Sequence, residues 1–147
     1  MRINMNNKES SSQALETIEK FMKEMNLWET EFFRLRKKEL TEGKDDLSLK
    51  KAYRSKLEEI LKKYVIEDKS NFGRLIDLGC TNPPTYDPES DILETIASEK
   101  NSASITAQQT AGAETLSKIT LKLQNNEWLI KKKEILNHDD KWRRAPL

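Results

Sequence analysis

Ile119-Thr120-Leu121-Lys122-Leu123-Gln124-Asn125-Asn126-Glu127-Trp128-Leu129-Ile130-Lys131 carries the plainest structural signal in the chain. Ile119, Leu121 and Leu123 alternate with Lys118, Thr120 and Lys122. A period of two places one face of a strand on a core and the other in water. Trp128 and Ile130 resume the alternation beyond Asn125-Asn126. Asparagine tolerates left-handed backbone and suits a two-residue hairpin turn. With that turn, Leu123 faces Trp128 and Leu121 faces Ile130, so all four share one face. The same register sets Lys118 opposite Lys133, a pair of like charges that only a wet face tolerates.

Moving upstream, Ile92 to Ala97 and Ala103 to Ala107 flank Glu99-Lys100-Asn101-Ser102, which reads as a second hairpin. Before it, Gly73, Gly79, Pro83, Pro84 and Pro88 exclude a long helix. Leu75-Ile76-Asp77-Leu78 within that stretch reads as a short strand or a helical turn. Farther back the period changes. Leu15, Ile18, Phe21, Met22, Met25, Trp28, Phe32 and Leu35 recur in steps of three and four, the stripe of an amphipathic helix. Glu16, Lys20, Lys23, Glu24, Glu31 and Lys38 form its wet side. Ser10 and Gln13 read as a capping box at its start, and Gly43 as a left-handed cap at its end. Leu49, Tyr53, Leu57, Ile60, Leu61, Tyr64 and Val65 mark a second helix, opened by Asp45 or Asp46 and closed by Asp68 to Gly73.

Helices with an apolar stripe and an antiparallel sheet with an apolar face cover each other, which predicts a two-layer α+β fold. The length of 147 residues fits a single domain over 1–147. Residues 1–10 and the polar tail 138–147, apolar only at Trp142 and the last residues, are expected to be flexible ends.

Charged residues make up 35% of the chain, yet 26 basic groups nearly cancel 25 acidic ones, and the balance holds in both halves. That removes the basic excess that nucleic-acid binding or an electrostatic membrane anchor needs. Mean hydropathy is −0.83, but the regular apolar spacing argues against disorder. A single cysteine, Cys80, forbids an internal disulfide and fits a reducing compartment. The opening residues lack the apolar core of a signal peptide, and no window spans a membrane, so the expected location is cytoplasmic.

No catalytic, cofactor or metal set stands out. His138 is the only histidine and is followed by Asp139-Asp140. A metal site needs several ligands on rigid elements, so a solvated tail histidine is the plainer reading. Cys80 paired with His138 would need an electropositive setting, but Asp77 is its nearest charge in sequence, which favours a structural thiol. Lys131-Lys132-Lys133, Arg143-Arg144 and Arg34 to Lys38 read as solvated faces. Trp28, Phe32, Tyr53, Tyr86 and Trp128 are the aromatics that a pocket at the open end of a curved sheet would draw on, although aromatics at such spacing also serve as plain core.

Phe21-Met22-Lys23-Glu24-Met25-Asn26-Leu27-Trp28-Glu29, Ile105-Thr106-Ala107-Gln108-Gln109 and the closing hairpin with a tryptophan just after its turn carry a resemblance. Together they resemble, over residues 13–136, the immunity proteins of bacterial polymorphic toxin systems that have a nuclear-transport-factor-2-like fold. The resemblance implies N-terminal helices packed on a strongly curved antiparallel sheet, a cone. It implies a cytoplasmic antidote that binds and neutralises a cognate toxin, the product of an adjacent gene, without catalysis or a cofactor. No toxin-contact residue is carried by these motifs, and the protein is expected as a monomer or homodimer. Fold alone does not decide function. A small-molecule-binding protein or an isomerase- or dehydratase-like enzyme using the cone pocket is the alternative, and it would need an acid/base pair there.

Overall fold

The structure, a computed structural model, describes the side chains of residues 11–147. The backbone of residues 2–10 is helical, part of the element that starts at Arg2, which corrects the expected flexible end at 1–10. It puts Ser10 inside the helix rather than at the expected cap; residue 1 lies outside the described residues. Two long helices, α1 (Arg2–Thr41) and α2 (Leu47–Tyr64), precede a single turn, α3 (Arg74–Asp77). Five strands follow: β1 (Ile92–Ser98), β2 (Ser102–Gln108), β3 (Leu116–Gln124), β4 (Glu127–Leu136) and β5 (Trp142–Ala145). They form one antiparallel sheet in sequence order, the α+β architecture expected.

The helix stripe is the core. Ile18, Phe21, Met22, Met25 and Phe32 of α1 are fully buried with Leu57 and Leu61 of α2. They lie in one cluster with Ile105, Ile119, Leu121 and Ile130 from the sheet. Gly43 ends α1 in the left-handed region, at φ 74°. The start of α2 divides its labour between two aspartates. Asp45 Oδ1 accepts the Leu47 N–H at 3.2 Å, while Asp46, at the cap position, turns its carboxylate to Arg36 Nε at 2.8 Å.

Asn125 and Asn126 both take positive φ, at 50° and 64°, and set Leu123 opposite Trp128 and Leu121 opposite Ile130. The like-charge pair does not form. A bulge between Thr120 and Leu121 inserts Lys131 as an unmatched residue in β4, since Thr120 pairs with Lys132 and Leu121 with Ile130. An extra residue switches the side that every later side chain faces. Lys118 therefore pairs with Glu134, and Lys133 pairs with Ile119 on the buried face. Lys133 is only 4% exposed.

The tail is also ordered, contrary to the expected flexible end over 138–147. Trp142–Ala145 forms β5 against Lys133–Leu136, and Leu147 is buried, its N–H directed at the Asn71 carbonyl at 3.3 Å. Arg144 Nη2 reaches Asp68 Oδ1 at 2.9 Å and Asn71 Oδ1 at 3.0 Å. These contacts provide the anchoring that its polar composition conceals.

Candidate functional site

The chain between α3 and β1 is placed by a buried carboxylate. Glu29 lies on α1 four residues after Met25 and three before Phe32, within the apolar stripe, and is fully buried. Its Oε2 accepts the Thr81 N–H at 2.7 Å and its Oε1 the Thr85 N–H at 2.9 Å. Arg74 Nη2 stands 2.8 Å from Oε1 and also donates to the Gly79 carbonyl at 2.9 Å. The guanidinium lies over the Trp28 ring, 5.1 Å from its centroid. A buried charge persists only when paired and hydrogen-bonded, and here the ion-pair partner comes from α3 and the hydrogen-bond donors Thr81 and Thr85 from the segment being held.

Held in this way, the segment delivers Tyr86 to the inner end of the sheet. Asn26 Nδ2 donates to the Tyr86 carbonyl at 2.7 Å, and the Tyr86 ring packs edge-on to Phe21. The Asn82–Pro83 peptide is cis, and Gly112 at φ 70° comes so close to Pro83 that a Cβ would meet its Cγ at 3.0 Å. Between this segment and strands β2 to β4 lies a cavity of about 290 Å³. Tyr86, Asp91, Gln109, Ser117, Lys133 and Ile135 are among its lining residues. Lys133 Nζ donates to Tyr86 Oη at 3.0 Å. Asp91 Oδ2 accepts the Asp87 N–H at 3.0 Å, and burial raises the Asp91 carboxyl above its ordinary pKa.

The aromatics marked in the sequence do not share one pocket. Tyr86 lines the cavity. Trp28, Phe32 and Tyr53 instead form a stack between α1 and α2, with centroids 5.6 Å and 5.1 Å apart, and Trp28 Nε1 donates to the Tyr53 carbonyl at 2.8 Å. Trp128 borders a separate open groove with Lys20, Lys63 and Tyr64. Lys133, Asp91 and Ser117 escape a sequence reading because a bulge and an irregular segment bring them together. Glu29 left a signal, a carboxylate at stripe spacing. His138 lies exposed in the turn between β4 and β5, and Cys80 lies in the segment after α3. Burial, with Glu29 adding to it, pushes the Cys80 thiol up to about 11. Among the described residues, no group of three or more His, Cys, Asp or Glu could hold a metal ion. Among them, too, no helix is long and apolar enough to cross a membrane.

The chain matches the family model described as NTF2 fold immunity protein over residues 13–146. It belongs to that family. It is also 32% identical over 133 residues to Immunity protein RhsIA of Dickeya dadantii (strain 3937), an alignment covering 89% of this chain and 93% of the relative. No solved structure matches it at a significant level. The family match includes all three stretches that carry the resemblance. As an NTF2-fold immunity protein, the chain uses Phe21, Met22 and Met25 as core, Glu29 as the clamp and the closing hairpin as the centre of its sheet.

Proposed function

We propose that this protein is a cytoplasmic antidote, a single domain over 1–147, that binds a cognate toxin domain and neutralises it without catalysis. The observation that carries the reading is membership of the NTF2-fold immunity family over nearly the whole chain, together with a relative named as an immunity protein and matched over most of its own length. The toxin is the product of an adjacent gene, and the antidote acts as a monomer or homodimer by covering the toxin's active site or its route to substrate.

The chemistry of the chain supports a binding role. Its one thiol is held protonated at neutral pH, which makes a poor nucleophile. Its most buried carboxylate is committed to Arg74, Thr81 and Thr85. Many charged side chains remain exposed, the kind of surface that steers and selects an inhibitor's partner. The test is co-expression with the adjacent toxin gene in a sensitive host. Growth restored by this chain supports the reading, and growth arrest undiminished at equal expression overturns it.

A further inference from the structure

The cavity beside Tyr86 holds an ammonium whose hydrogen-bonding capacity is only partly used. Lys133 is 4% exposed and directs Nζ to Tyr86 Oη at 3.0 Å. An ammonium has three N–H donors, and a phenol that accepts one of them still has its own hydrogen to give. The nearby ion pairs, Lys118 with Glu134 and Lys132 with Glu134, lie on the other face of the sheet and leave Lys133 out. The Tyr86 phenol, whose ring centroid also lies 4.5 Å from Nζ, offsets the buried charge in part, as does the Asp91 carboxylate through a longer-range attraction. An anion hydrogen-bonded to the remaining N–H donors would add to this where water is excluded. Asp91 lies on the wall of the same cavity, with one oxygen engaged by the Asp87 N–H. It favours a ligand that carries a hydrogen-bond donor beside its acid group.

We propose that this cavity binds a carboxylate carrying a neighbouring N–H or O–H donor, the acid group held by Lys133 Nζ and Tyr86 Oη and the donor directed to Asp91. Two sources present that chemistry. One is a free hydroxy or amino acid, which suits a volume of about 290 Å³. The other is an Asp or Glu side chain of the toxin with its own backbone N–H, and this source alone rests on the function proposed above.

The experiment has two arms. In the first, the full chain is titrated with sodium lactate and with sodium glutamate against sodium chloride at matched ionic strength, and amide shifts around Ser117 and Gln109 are followed by NMR. In the second, the affinity for the toxin is measured. Wild type is compared with Lys133→Met, Tyr86→Phe and, as a control on the outer face, Lys132→Met. Saturable shifts confined to the cavity, weakened about tenfold or more in Lys133→Met and Tyr86→Phe and kept in Lys132→Met, establish a free carboxylate. No saturation, but a toxin affinity reduced about tenfold or more in the same two variants, establishes the toxin side chain. No saturation with unchanged toxin affinity overturns the proposal and leaves the antidote reading standing. If wild type binds no toxin, that reading falls and the first arm alone decides. Tyr86→Phe keeps the ring, and the comparison rests on it if Lys133→Met does not fold.

Discussion

Glu29 Oε1 lies 2.8 Å from Arg74 Nη2, with the glutamate side chain fully buried and the arginine nearly so. The pair fastens the segment from α3 to Tyr86 onto α1, and so fixes one wall of the cavity. Removing one partner strands the other as a buried charge. Glu29→Ala or Arg74→Ala should each destabilise the fold by about 3–5 kcal/mol in urea unfolding. The double variant should cost clearly less than the sum of the two. Additive effects would show that the two side chains act independently.

Trp128 lies on the buried face of β4, and its Nε1 has no hydrogen-bond partner among the described residues. Trp128→Ala should therefore cost about 3–5 kcal/mol through the space it vacates. Trp128→Phe should cost less than Trp28→Phe, because Trp28 Nε1 donates to the Tyr53 carbonyl and its ring lies beneath Arg74. An unchanged denaturation midpoint in Trp128→Ala would contradict the packing of the hairpin.

Asp68 binds the end of the chain to the segment after α2. The Asn71 N–H bonded to its carboxylate, followed by the Arg144 charge and the Ser70 N–H, holds its pKa below the usual value despite some desolvation. A carboxyl depressed in the folded state contributes stability above its unfolded pKa, and that contribution is lost as pH falls through the folded one. Asp68→Ala should thus be less stable than wild type at about pH 7, with the gap closing towards about pH 2. A gap of constant size would show that Asp68 acts without its charge.

The thiol of Cys80 sits at about 11 because burial and the Glu29 charge both oppose ionisation. Its alkylation at neutral pH should be far slower than that of a small free thiol, and unfolding in urea should bring it to the free rate. Fast alkylation of the folded protein, read by mass spectrometry, would place Cys80 in a different setting.

Much of the fold can be read from residue order. The period of two around Leu121 and Ile130 and the steps of three and four from Ile18 to Phe32 are local, and local patterns survive folding. The cavity is hidden for a physical reason. One unmatched residue, Lys131, reverses the faces of β4, so Lys133, read as part of a solvated run, is a buried lysine. The polar tail misleads in the same way. Arg144, Asp68 and Asn71 form a polar contact that composition alone reads as solvated. Tyr53 and Tyr86 look alike in sequence, yet only the segment clamped by Glu29 carries its tyrosine to the cavity.

Neutralisation of a toxin by direct binding can be measured by calorimetric titration of the purified toxin domain with the purified chain, with toxin activity assayed in the same samples. The expected outcome is saturation at a fixed stoichiometry, with toxin activity falling in step with occupancy and the toxin recovered chemically unchanged. No heat of binding with full toxin activity would contradict it, and so would a toxin covalently altered by substoichiometric amounts of the chain.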